Sequence, residues 1–225
     1  MFGFLDFLAR SVRNGAEGVT ILQPRIVAVV STNPRTLRGP WSSGFALDRQ
    51  TLKSIPIGQN AFGHMQFDTT RTAVGQMLYD LKYGRKTAEQ KQQLANDLAD
   101  TAVQFVQDTW RVQIDAIVPV PPSNRRLVQP VVLVAQAIAE RLGIPVCGNC
   151  LAKVKRTPQL KDIKDYDKRR EVLKDAFKAD PELCAGKNLL LFDDLHGSGA
   201  TVRHIVEVLK ASGTKAAYLL TLTTK

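Results

Sequence analysis

The sequence predicts an α/β fold, a doubly wound and mostly parallel sheet with a mainly helical hood on its N-terminal side. Three observations carry that prediction. Apolar runs of strand length, DAIVPV, NLLLF and AAYLLTLTT, alternate with stretches of helical spacing, VVLVAQAIAERL and VRHIVEVLK. Glycine, proline and small polar residues punctuate several of the boundaries between these runs, as helix–strand connections require. Finally, two carboxylates and a glycine-rich loop stand directly after the most apolar run, where α/β sheets bind ligands.

Taken in order, MFGFLDFLARSVR is apolar but interrupted by Asp6 and Arg10, and has neither a basic start nor a cleavage site. It reads as a short amphipathic helix packed on its own domain rather than a signal peptide or a membrane anchor. Val19 to Leu52 reads as β-rich and irregular, with one good strand in ILQPRIVAVVS and turns at NPRT, RGP and SSG. From about Thr69 the pattern is helical: Val74, Met77, Leu78 and Leu81 share one face, and Leu94, Leu98, Ala102 and Phe105 another. LKYGRK separates these two helices, with Gly84 as the C-cap. The character changes near Trp110, which divides a hood, 1–110, from a core, 111–225.

In the core, VQIDAIVPVPP is a strand ending in prolines, VVLVAQAIAERL a helix closed by Gly143, and IPVCG a second strand. KVKRTPQLKDIKDYDKRREVL is charged with few apolar residues and reads as a mobile loop, and DAFKA as a short strand. Leu189 to Phe192 form a strand buried on both faces, with Asp193 and Asp194 immediately after it. HGSGAT then leads into a helix whose Val202, Ile205, Val206 and Leu209 face one side.

Composition limits the classes open to this chain. Its 225 residues, 44% hydrophobic, suffice for a sizeable core, and no apolar run is long enough to span a membrane. A formal net charge of +10 suits anionic ligands, nucleic acid included, although no aromatic-interleaved basic motif supports direct nucleic-acid binding. Three cysteines argue against a disulfide framework and for a reducing cytoplasm. Cys147 and Cys150 form a CxxC without a second pair to complete a tetrahedral metal site, so they read as ordinary thiols.

The stretch NLLLFDDLHGSGAT holds the chemistry. Backbone N–H groups of a glycine-rich loop and a helix N-terminus make an anion site. Neither a Walker ending nor GxGxxG is present, and the two acids suit a ligand offering vicinal hydroxyls a few Å from its phosphate, as a ribose 5-phosphate does. Asp193, Asp194, Leu195, Ser198, Gly199 and Thr201 resemble the phosphoribosyl pyrophosphate (PRPP) motif of the type I phosphoribosyltransferases, from which His196 and Gly197 depart. DAIVPVPP, LAKVKRTPQL, KRREVLKDAF and LLLFDDLHGSGAT also occur in the order seen in the ComF family, phosphoribosyltransferase-like proteins associated with bacterial DNA uptake. QMLYDLKYGRK is similar to that family's tyrosine- and lysine-containing helix end. The chain lacks the four-cysteine ribbon frequent there, and SNRRLVQP replaces an RGFNQ-like segment.

The resemblance implies a type I phosphoribosyltransferase fold and a Mg²⁺-dependent transferase acting on PRPP. In it Gly197, Ser198, Gly199, Ala200 and Thr201 would cradle the 5-phosphate, and Asp193 and Asp194 would engage the ribose hydroxyls directly or through Mg²⁺. Arg125 or Arg126 would neutralise pyrophosphate, and Lys155 and Arg156 would close over it as catalytic-loop residues. With Gly197 where 6-oxopurine transferases place an aspartate, hypoxanthine–guanine salvage is not expected, and an amine, a pyrimidine or another base stays open as acceptor. The alternative is a non-catalytic PRPP or nucleotide sensor serving DNA-uptake or recombination proteins. Both readings are compatible with a homodimer.

Overall fold

In the computed structural model, residues 29–122, 129–155, 157–158, 163 and 165–225 are described, with the side chain of Tyr166 set aside. The expected N-terminal amphipathic helix, the start of the ILQPRIVAVVS strand, Arg125, Arg126 and Arg156 lie outside these residues. The described chain runs β1 (Arg35–Thr36), β2 (Ser43–Arg49), β3 (Thr51–Gln59), β4 (Met65–Arg71), α1 (Ala73–Tyr83) and α2 (Ala88–Gln104), which ends in a π-turn at Phe105–Trp110. It continues as β5 (Ala116–Pro119), α3 (Pro130–Leu142), β6 (Leu151–Lys153), α4 (Tyr166–Leu173) and β7 (Phe177–Ala179). The last elements are α5 (Pro181–Cys184), β8 (Asn188–His196), α6 (Ala200–Ala211) and β9 (Ala216–Thr224).

The architecture is mixed α/β around a five-stranded sheet of order β1-β2-β9-β8-β5. β2, β9, β8 and β5 are mutually parallel, and only the edge strand β1 is antiparallel. Alternation along the strands builds two cores. Leu190, Phe192, Leu220 and Leu222 meet α1, α2 and α3 on one face, whereas Leu189, Leu191 and Leu219 meet Val202, Ile205 and Leu209 of α6 on the other. The doubly wound expectation holds. β2, which precedes Trp110, supplies a strand to this sheet, and α1 and α2 cover one of its faces.

Four local readings need correction. The helix expected from Thr69 begins at Ala73, because Thr69 and Thr70 pair with Ser54 and Lys53 in a two-stranded ribbon that the sequence reading did not foresee. Thr72 then caps α1, its hydroxyl accepting from Gly75 N at 3.0 Å. IPVCG is no full strand: Val146 makes a single parallel bridge to Ile117, with Pro145 unable to donate to a ladder. Part of the charged segment is ordered as α4, whose N-cap Asp165 accepts from Lys168 N and whose Leu173 is buried. Last, Cys147 and Cys150 are a disulfide rather than thiols, the Gly148–Asn149 turn bringing their Cα atoms to 5.3 Å. Gly84 does end α1, in an extended rather than left-handed conformation, its N–H bonded to Asp80 O.

Candidate functional site

Parallel pairing sets the site. Pro119 stands opposite Phe192, so the chain leaves β5 and β8 at the same edge of the sheet. A cavity of about 450 Å³ opens there, between the Val120–Pro122 turn, the start of α3, Phe177 of β7 and the loop joining β8 to α6. β8 runs on past its apolar run to His196, so Asp193 and Asp194 lie in its four half-buried last residues rather than beyond it. Both line the cavity, as do Gly197, Ser198, Gly199, Ala200 and Thr201. The structure thus gathers the acidic pair and the whole glycine-rich loop around one space.

The loop's shape follows from its glycines. Gly199 has φ 73°, the left-handed region, and a Cβ there would stand 2.8 Å from His196 Cε1. Gly199 is also the N-cap of α6 and offers no side chain to it, and Ser198 does not cap it either. The N–H groups of Ala200, Thr201 and Val202 have no acceptor inside the helix and stand at its positive end, beside the cavity. Gly197 is exposed and nearly uncrowded, with only Lys225 Cε at 3.8 Å from a built Cβ.

The acids are electrically constrained. Asp194 N–H donates to Asp193 Oδ1 at 2.8 Å, and Asp194 Oδ1 pairs with Lys82 Nζ at 2.8 Å. Burial first, and then the charge of Asp194, push Asp193 up to about 8, although its backbone hydrogen bond and Lys82 pull the other way. Asp193 is thus more readily protonated than an ordinary carboxyl, while Asp194 faces the Lys82 side chain. Lys82 lies in the last turn of α1, a helix fixed by buried Val74, Leu78 and Leu81.

His196 is held as part of the wall. Its ring meets Trp41 edge-on at 5.9 Å, and Arg203 stacks on Trp41 and donates to Arg38 O at 2.5 Å. Burial and then Arg203 hold the imidazole below its ordinary value, so it is neutral at pH 7. Among the described residues its Nδ1 has no hydrogen-bond partner.

Lys155 is exposed and does not line the cavity. Lys153, two residues earlier on β6, does, and burial lowers its ammonium. Arg169 of α4 and Lys225 also reach the lining. Sequence reasoning missed these four cations, Lys82, Lys153, Arg169 and Lys225. The signal for Lys82 was visible in LKYGRK at a helix end, but nothing in the sequence says which strand end that helix faces. Among the described residues no group of three His, Cys, Asp or Glu side chains is placed to hold a metal. Two adjacent carboxylates fit Mg²⁺ only when a ligand brings further oxygens.

No family model and no curated protein matches the chain. Among solved structures it is similar to the glutamine PRPP amidotransferase of B. subtilis complexed with ADP and GMP, at 18% identity and TM-score 0.45 over 72% of this chain and 34% of that one. It is also similar to adenine phosphoribosyltransferase from Saccharomyces cerevisiae, at 15% identity and TM-score 0.41 over 78% of this chain and 84% of that one. A third likeness, to an allosteric regulatory enzyme of purine biosynthesis, has 16% identity and TM-score 0.44, covering 79% of this chain and 44% of the other. The chain therefore spans less than half the length of two of these three.

Proposed function

We propose that the cavity binds PRPP or another ribose 5-phosphate compound and that the chain is a phosphoribosyltransferase of the type I fold. One observation carries the reading: an acidic pair and an uncapped helix N-terminus, with its glycine-rich loop, open into the same space. The N–H groups of residues 197–202 and the hydroxyls of Ser198 and Thr201 take the 5-phosphate. Asp193 and Asp194 take the ribose hydroxyls. Lys153 and Arg169 flank the leaving-group side, and Arg125, Arg126, Lys155 and Arg156 are proposed to join them when ligand binds. The transfer breaks the C1–oxygen bond with its electron pair leaving on pyrophosphate, and a nucleophile on the acceptor forms the new bond to C1. The site must hold both partners in line and exclude water. Asp193 or Asp194, together with substrate oxygens, would hold Mg²⁺, which would supply charge neutralisation for pyrophosphate.

A second reading keeps binding and drops transfer: a PRPP or nucleotide sensor of the cytoplasm working with DNA-uptake or recombination proteins, as the ComF resemblance suggests. It is favoured by Lys82, which engages the carboxylate that a ribose would use, and by the net charge of +10. Calorimetric titration with PRPP and Mg²⁺, against ribose 5-phosphate and AMP, followed by pyrophosphate release across candidate acceptors, separates the readings. Binding with release is expected of a transferase, and binding without release of a sensor. Asp193→Asn with Asp194→Asn is expected to abolish binding in a folded protein, since Asn keeps the size of each side chain while removing the carboxylates that line the cavity. Unchanged affinity in that variant would sink the site assignment.

A further inference from the structure

Most of the large apolar side chains left exposed among the described residues belong to one element. In the β3–β4 ribbon, Phe62 is 85% exposed, Leu52 66%, Ile57 63%, Phe67 54%, Met65 48% and Ile55 41%. The ribbon stands apart from the five-stranded sheet, each strand pairing only with the other. An isolated two-stranded ribbon is marginal in water. This one is nevertheless built to a definite shape. At its tip Asn60 Oδ1 accepts from Phe62 N and His64 N, both at 3.0 Å, and Gly63 takes φ 76°. At its base Arg71 stacks on Tyr79 of α1 at 3.9 Å. The ordered tip presents Phe62 outward.

The two strand edges differ. β3 carries Pro56, which has no N–H, and register shifts at Thr51/Lys53 and Pro56/Gly58, both devices that blunt an edge. β4 has neither proline nor glycine. Among the described residues no hydrogen bond joins the β4 backbone to anything beyond β3, except through the tip turn. Its outer edge is therefore competent for strand addition.

We infer that the ribbon is a dimerisation arm whose occupant is the same ribbon of a second copy, joined β4 to β4. A self-complementary strand closes a two-fold dimer without leaving a further edge to propagate from β4. Charge selects the register. Centring the axis on Asp68 would set two carboxylates face to face, whereas centring it on Phe67 sets ring against ring. Gln66 then lies opposite Asp68 of the partner subunit, amide against carboxylate, and Met65 opposite Thr69 of the partner subunit. The Ser54–Thr69 hydroxyl bond of 3.0 Å places Thr69 on one face, and the alternation puts Phe67 and Met65 there too. Met65 and Phe67, the apolar pair on that face of β4, are 48% and 54% exposed in the single chain and meet their counterparts across the axis.

Sedimentation equilibrium of the full chain tests this. The native protein is expected to be a dimer at micromolar concentration. Phe67→Glu, which sets two carboxylates on the axis, is expected to raise the dimer dissociation constant by roughly 100-fold or more, with an unchanged far-ultraviolet circular dichroism spectrum because Phe67 is exposed in the single chain. Phe67→Cys is expected to give an oxidant-dependent covalent dimer that the native chain and Ile55→Cys do not give. A native monomer would overturn the inference, as would a dimer indifferent to Phe67→Glu. A monomer whose ribbon resists protease until residues 1–28 are removed would assign the ribbon to the chain's own N-terminus, overturning it as well. Ligand binding enters none of these readouts, so the arm stands or falls apart from the proposed function.

Discussion

Replacing Lys82 with methionine keeps the stem of the side chain and removes the ammonium that lies 2.8 Å from Asp194. At that distance the bare attraction is about 6 kcal/mol for an effective dielectric of about 20. Desolvation of both groups offsets most of it. With 13% and 17% of the two side chains still exposed, a net loss of about 2 kcal/mol in the alkaline range is expected, below the roughly 3–5 kcal/mol of a fully buried pair. The pH dependence is more diagnostic than the size. Asp193 is raised in the folded chain from an ordinary 3.8 to about 8. The stability this confers is full below pH 4 and is lost as pH rises towards and through 8. Lys82 is one of the two groups pulling that carboxyl back down, so without it the loss extends above pH 8 and grows. Denaturant unfolding of both proteins from pH 3 to 9, without ligand or metal, reads this directly. The two curves are expected to converge at the acid end and to separate towards pH 9. A gap of constant size at every pH would refute the electrostatic account and leave Lys82 a packing residue.

Two further substitutions test the scaffold around the site. Gly199→Ala places a Cβ 2.8 Å from His196 Cε1 at φ 73° and is expected to cost about 2 kcal/mol with loss of ribose 5-phosphate binding, measured by urea unfolding and calorimetry. Gly197→Ala, with only Lys225 Cε at 3.8 Å, is expected to stay within about 0.5 kcal/mol of the parent. Arg141 joins α3 to α2 through Asp100 and Asn96 O and also donates to Ala137 O of its own helix, and only 11% of its side chain and 7% of that of Asp100 are exposed. Arg141→Met removes a cation from a buried carboxylate, and a loss of about 3 kcal/mol is expected in the same unfolding assay, with ligand affinity in the folded fraction unchanged.

The parts of the fold legible in the sequence are those whose signal is local and strong. Leu189 to Phe192 could only be a strand buried on both faces, and Val202, Ile205, Val206 and Leu209 only an amphipathic helix, so the apolar part of β8 and α6 were readable, though not the extension of β8 through Asp193 and Asp194 to His196. The β3–β4 ribbon was not. Its strands carry Pro56, Gly58 and apolar side chains on both faces, so neither the period of a half-buried strand nor that of a helix appears. A ribbon that meets a partner rather than its own core has no reason to show one. The site divides along the same line. Asp193, Asp194 and the glycine-rich loop are contiguous, and spacing alone brings them together. Lys82 is 112 positions from Asp194, and their contact exists because Leu78 and Leu81 bury α1 on the same face as Leu190 and Phe192. By strand alternation Asp194 points to the Phe192 side and Asp193 to the Leu191 side. Only Asp194 therefore turns toward α1, and the two carboxylates of one dipeptide acquire different partners. That asymmetry depends on a helix from before Trp110 packing against a strand from after it.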